Sequence, residues 1–273
     1  MNVLPYQPTS FSLGQNITPA QTQHFNTFGF LHFKQFLTPT QVNDMLAELR
    51  RIQQEWLDRG ITKINGTPLK FGQEADGSPL IQRMCFLNHH SELLSDLMRS
   101  PAIESLTGLL APNEGRIAHD EKDGLVLNHY IRQPNSKFSQ MGWHTDSPRD
   151  LFLGQKILPM LNIGLHLDGC LHRNGGLRVL PGTHKANILQ TVLGKKQFID
   201  HTADPREAGF DIESGDLTVH HGSLWHRVEA SPFTGEASRR RVLYFPIIMG
   251  AFAPKNEQTK TPFYHRFGKF VHS

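Results

Sequence analysis

Cysteine, long apolar runs and a marked charge of either sign are all scarce in this 273-residue chain, and each scarcity removes a class of protein. Two cysteines, Cys85 and Cys170, cannot build a disulfide framework, and neither has a partner at metal-ligand spacing, which points to a reducing compartment. No window approaches about 18 consecutive apolar residues, and Met1 to Gln15 lacks a basic start followed by an apolar stretch, so neither a membrane span nor an export signal is expected. The chain ends Phe270-Val271-His272-Ser273, without a peroxisomal address. These absences predict a cytoplasmic protein with no membrane partner. Basic and acidic residues number 28 and 25, and the one dense basic run is Arg239-Arg240-Arg241, so no nucleic-acid surface is expected.

What is present is the composition of a folded, loop-rich protein, with 17 Pro, 23 Gly and 9% aromatics. One domain over residues 1–273 is expected, with 1–16 as a polar arm and a barrel core at about 120–250. Thr18 to Gly29 reads as a short helix and Phe28 to Phe33 as a strand. Thr38-Pro39-Thr40-Gln41 is a capping box with proline at the first helical position, and Val42, Met45, Leu49, Ile52 and Trp56 recur at three and four residues before Gly60. That stripe is expected to pack in the core. Residues 61–80 read as a loop or short hairpin over a pocket, and a helical pair is expected from Glu92 to Leu110, with Pro101 opening its second member. From Leu125 the pattern changes to short strands at 125–131, 161–167, 177–180, 216–221, 224–229 and 241–248, the signature of a sandwich or barrel with helices on one outer face.

Chemistry concentrates in Gly142-Trp143-His144-Thr145-Asp146. Two histidines and a carboxylate on one face of Fe(II) leave the opposite positions open for a co-substrate and O₂. His-x-Asp alone is weak, and His166-Leu167-Asp168 matches it too. Either pair, on a strand, would point to one side. The first is favoured because it follows a loop containing Pro134, Asn135 and Ser136, whereas the second lies in an alternating scaffold strand. The third ligand is expected from Gly215-Asp216-Leu217-Thr218-Val219-His220-His221-Gly222-Ser223-Leu224-Trp225-His226. His226 is favoured because it opens the strand after the turn, with His220 and His221 packing or hydrogen-bonding nearby. In the arginine run, alternation turns Arg240 to one side and Arg239 and Arg241 to the other, and a guanidinium facing into a barrel calls for a carboxylate partner.

The chain resembles the phytanoyl-CoA dioxygenase family of Fe(II)/2-oxoglutarate oxygenases. The matching elements are His144-Thr145-Asp146, then Asn174-Gly175-Gly176-Leu177-Arg178-Val179-Leu180-Pro181-Gly182-Thr183-His184-Lys185, then Gly215-Asp216 leading to His226 and the arginine run. Phe25 to Phe30 followed by Phe36-Leu37-Thr38 resembles that family's opening, so the likeness spans roughly residues 20–250. The resemblance selects His144 and Asp146 over His166 and Asp168. It implies a mainly β fold with flanking α, a double-stranded β-helix (a jelly-roll, cupin-like barrel) with helices on one face. It implies Fe(II) held by His144, Asp146 and His226. Arg240 matches the residue that pairs with the distal carboxylate of 2-oxoglutarate, with Arg241 and Arg239 in reserve, and Asn128 and Tyr130 share a strand face from which they can hydrogen-bond the co-substrate. The implied reaction consumes O₂, converts 2-oxoglutarate to succinate and CO₂, and hydroxylates an unactivated C–H bond of a small metabolite, with desaturation or ring closure as variants. Asp146 disfavours halogenation, because halogenases of this superfamily lack that carboxylate.

Two alternatives stand beside this reading. Asn128-His129-Tyr130 resembles the Asn-x-Tyr segment upstream of His-x-Asp in AlkB-like nucleic-acid demethylases, although a clustered basic and aromatic surface is missing. A barrel acting as a non-catalytic binding module is the other. The loops expected to choose the substrate are 60–80, 147–158, 187–212 and 250–265. Lys185, Lys195 and Lys196 are a thin basis for holding the phosphates of an acyl-CoA, so an amino-acid-like or specialised metabolite is expected.

Overall fold

The computed structural model describes residues 2–133, 140–146, 158–187 and 194–261, and Pro134, Asn135, Ser136 and most of the loop at 147–158 lie outside them. In chain order the elements are α1 (Pro19–Phe28), β1 (Phe30–Phe33), α2 (Pro39–Asp58), β2 (Lys63–Ile64), β3 (Thr67–Pro68), β4 (Lys70–Gln73), β5 (Pro79–Met84), α3 (Glu92–Met98), α4 (Pro101–Ser105) and β6 (Arg116–Ile117). There follow β7 (Val126–Tyr130), β8 (Met141–His144), β9 (Leu161–His166), β10 (Gly176–Val179), β11 (Ala208–Gly209), β12 (Leu217–His221), β13 (His226–Glu229) and β14 (Arg240–Ile248).

Helix starts follow local chemistry. Thr18 and Thr38 each cap a helix with the box completed by Gln21 and Gln41, so two free backbone donors are satisfied at each start and proline occupies a position that needs no N–H. The five apolar residues of the α2 stripe are all buried. They pack with Leu94, Met98 and Ile103 against the outer face of a large antiparallel sheet. Burial of each such side chain contributes about 1.5–3 kcal/mol.

The large sheet runs β1-β12-β9-β14-β7-β5-β4, with β6 on β14, and it faces a second sheet ordered β11-β10-β13-β8. Alternation assigns the two faces of the large sheet. Leu161, Ile163, Leu165, Leu217, Val219, Leu243, Phe245 and Ile247 join the helices in the core. Their neighbours Asn162, His220 and Tyr244 line a cavity between the sheets. The barrel interior is therefore polar on one wall while the outer wall carries the apolar core.

Three elements depart from the sequence reading. Residues 61–80 contain the expected hairpin, β2 with β3, but β4 and β5 then extend the large sheet beyond β7. Gly and polar residues hid that edge. Residues 141–144, assigned to no element from the sequence, form β8, where Gly142 allows a close approach: a Cβ there would lie 2.5 Å from the Phe198 carbonyl oxygen. The N-terminal arm docks on the fold, because Phe11 pairs with Phe33 and the Tyr6 ring meets Phe28 and Phe30 edge-on, both at 5.1 Å. Its aromatic residues at intervals, not its polar majority, decide where it goes.

Candidate metal centre

His226 opens β13 directly opposite His144, the last residue of β8, so the antiparallel pairing sets two imidazoles side by side with ring centres 4.0 Å apart. Asp146 lies just past the strand and is fixed by its N–H donating to the Gly222 carbonyl at 2.8 Å. One ligand atom from each of His144, Asp146 and His226 falls within 4.8 Å of the others. Among the described residues this is the grouping of three such side chains able to hold a metal ion.

The rings are oriented by their own backbone. Nδ1 of His144 lies 2.8 Å from the Gly142 carbonyl and Nδ1 of His226 lies 3.0 Å from the Leu224 carbonyl, each two residues back. The proton therefore sits on Nδ1, and Nε2 presents its lone pair to the centre. Burial pushes the pKa of both imidazoles down, that of His226 furthest, and keeps them neutral. Burial alone would raise the Asp146 carboxyl, but the neighbouring His226, His220 and His144 outweigh it and hold it well below the usual carboxylate range. Two neutral imidazoles and one carboxylate are the donor set of a divalent iron site with open positions. Asn162 Nδ2 and His220 Nε2 both approach Asp146 Oδ2, at 3.3 and 3.4 Å.

The second His-x-Asp pair is not brought together. His166 turns inward and meets Thr218 Oγ1 at 3.0 Å, whereas Asp168 takes both Nε and Nη2 of Arg241 at 2.8 and 2.7 Å. The same pairing occupies Arg241, the reserve candidate. Arg239 is engaged by Glu74 and Glu236. Arg240 is the member of the run that faces the barrel interior, 5% exposed, its Nη1 donating to the Glu229 carbonyl at 2.9 Å and its guanidinium 5.6 Å from the Tyr130 ring centre. Tyr130 stands opposite Arg240 and Asn128 opposite Val242 on the adjoining strand, and the Asn128 amide donates to the Tyr130 hydroxyl at 3.4 Å. Burial pushes the Tyr130 hydroxyl up to about 12, against the opposing charge of Arg240, so it stays protonated.

The cavity lined by His144, Asp146, His226, Asn128 and Tyr130 has a volume of about 270 Å³. Its wall includes residues that sequence reasoning did not single out. Arg83, from the unexpected β5, reaches it while donating to Asp123 at 2.8 Å. Phe198, in the left-handed region at φ 63°, stacks on His144 with ring centres 4.6 Å apart. Asn162 had a signal that was available: it is a polar residue set between the apolar Leu161 and Ile163 of its strand.

A jelly-roll barrel with this donor set defines the class of Fe(II)/2-oxoglutarate-dependent oxygenases. The family model for phytanoyl-CoA dioxygenase (PhyH) matches residues 25–241, and the chain belongs to that family. Solved structures share the fold. HygX from Streptomyces hygroscopicus, with nickel and 2-oxoglutarate bound, is 17% identical, with 92% of this chain and 94% of that chain covered and a TM-score of 0.60. SnoK, an alpha-ketoglutarate-dependent carbocyclase from nogalamycin biosynthesis, is 17% identical over 92% of each chain at a TM-score of 0.61. SnoN, an epimerase from the same biosynthesis, is 17% identical over 86% of this chain and 84% of that chain at 0.58. No curated protein sequence matches the chain.

Proposed function

We propose that this protein acts as a single-domain oxygenase that hydroxylates an unactivated C–H bond of a small metabolite, with His144, Asp146 and His226 as the iron ligands and Arg240 as the receptor for the distal carboxylate of 2-oxoglutarate. The observation that carries the reading is the convergence of two backbone-oriented, neutral imidazoles and one ionised carboxylate inside a polar cavity. When bound, Fe(II) with 2-oxoglutarate and O₂ supplies the oxidation, coupled to release of succinate and CO₂.

The chain's own residues bind and orient. His144 and His226 present Nε2 because their Nδ1 protons are committed to carbonyls. Asp146 supplies the negative charge, so the position that a halide would need is filled. Arg240 places a fixed cation inside the barrel at the start of β14, and the Tyr130 hydroxyl remains a hydrogen-bond donor at neutral pH. Asn128 lines the same cavity, its buried side-chain oxygen having no partner among the described residues, which fits a polar ligand beside it. A cavity of about 270 Å³ that must also hold 2-oxoglutarate favours a small substrate over an acyl-CoA. SnoN and SnoK belong to nogalamycin biosynthesis, which supports an amino-acid-like or specialised substrate here. A carbocyclase and an epimerase among the neighbours make ring closure the second outcome to test. Neither the nucleic-acid demethylase nor the binding-module alternative gains support. No helix among the described residues is long and apolar enough to cross a membrane, and we place the protein in the cytoplasm.

The test is anaerobic titration with Fe(II) and 2-oxoglutarate, in wild type and His144→Ala. A visible charge-transfer band confined to wild type is the expected result. A folded wild type without the band would return the binding-module reading to first place.

A further inference from the structure

We infer that His220, together with Asn162, is a positioning residue that holds the Asp146 carboxylate by one oxygen and so keeps it a single-oxygen ligand. The inference rests on the iron reading above and concerns residues outside the ligand set.

His220 on β12 and Asn162 on β9 are direct register partners, and both line the cavity. Both approach the same atom, Asp146 Oδ2, from that wall, at 3.4 and 3.3 Å. Oδ1 meets no donor among the described residues. The His220 side chain is 2% exposed, and its ring packs on His226 with centres 4.3 Å apart. Among the described residues neither ring nitrogen finds a hydrogen-bonding carbonyl or hydroxyl, and the Asp146 carboxylate lies 3.4 Å from Nε2. A buried imidazole with no partner is costly, and a strand that buries one beside a carboxylate has a use for it. His220 is not itself in the ligand group, whose donor atoms share one 4.8 Å neighbourhood without it.

The consequence lies in the count of metal positions. A carboxylate free to rotate binds a divalent ion through one oxygen or two. With Oδ2 facing two donors, Oδ1 would be the oxygen left for an ion, and a position that a chelating carboxylate would take would stay free for co-substrate or O₂. Partners of this kind are worth about 10–100-fold in metal affinity where they have been removed from metal sites.

Two variants separate this role from packing. His220→Phe keeps a ring of similar size against His226 and deletes the donor, whereas His220→Gln reaches the same point with an amide N–H. Each is titrated with Co(II) under anaerobic conditions, with the cobalt ligand-field spectrum as readout and apo thermal melting as the fold control. The expected result is a loss of about 10–100-fold in affinity and an altered spectrum for His220→Phe, with His220→Gln within a few-fold of wild type. Wild-type affinity and spectrum in His220→Phe would overturn the inference, as would a folded His220→Gln that fails as badly as His220→Phe. Wild type that takes up no Co(II) would instead overturn the metal centre itself, and this role with it.

Discussion

Arg240 and Arg241 are neighbours with opposite duties, and the difference is measurable. Arg240 faces the barrel interior, whereas Arg241 is locked to Asp168 on the other side of the strand. Replacing Arg240 by Leu should weaken 2-oxoglutarate binding to the metal-loaded protein by about 10–100-fold, the worth of about 1.5–3 kcal/mol for a charge-assisted hydrogen bond. Arg241→Leu should leave that affinity within about two-fold, and calorimetric titration of both variants checks the contrast. Acid sensitivity also belongs at this scale. Burial lowers His166 to about 3, and burial with the charges of Arg239 and Arg241 lowers His129 to about 3. Both are neutral when folded and take up a proton near pH 6.5 when unfolded, so the stability they contribute is present above that pH and falls as pH drops towards 3. Each should cost about 2 kcal/mol between pH 6.5 and 5, read as a falling urea midpoint. His166→Gln should flatten part of that slope. The convergence of His144, Asp146 and His226 was legible at this scale because His-x-Asp and its distant histidine are a chemical pattern. Asn162 and Phe198 were not assigned roles, and His220 only a general one as a packing or hydrogen-bonding neighbour, since what each does depends on which parts of the chain lie opposite.

At the scale of elements, α2 was legible from end to end. Its capping box, first-turn proline and apolar spacing agree with one another, and the stripe is buried as the period requires. Ile52→Ala, at 0% exposure in that stripe, should cost about 2–5 kcal/mol, and Thr38→Ala about 1 kcal/mol through the lost cap. Chemical denaturation of the two variants tests the ordering. The strands were less evenly readable. β9, β12 and β14 alternate because one face meets the helices and the other meets the cavity. β8 and β4 are each four residues long and β4 sits at an edge, too short a stretch for an apolar alternation to stand out in the sequence. Which arginine shares a side with Tyr130 follows from β14 pairing Arg240 with Tyr130, information that exists between strands and not within one.

For the molecule as a whole, the centre joins parts of the chain about 80 residues apart, which only the folded barrel brings within 4.8 Å. A divalent ion that binds the folded state alone should therefore raise the melting temperature. At 100 times its dissociation constant the gain is about 2.7 kcal/mol. Adding EDTA should reverse the rise, and His144→Ala should show neither effect. A melting temperature that ignores metal in wild type would mean that the three ligands do not share an ion.

β14 is the last strand among the described residues, yet it inserts between β9 and β7 in the middle of the large sheet. A nascent chain that has emerged only as far as residue 239 has both histidines in hand but a slot where its central strand belongs. Capture of a divalent ion by His144, Asp146 and His226 is therefore expected only once β14 has joined the sheet. A chain truncated after Arg239 should accordingly bind no Co(II), and should regain binding when a peptide spanning residues 240–261 is supplied in trans.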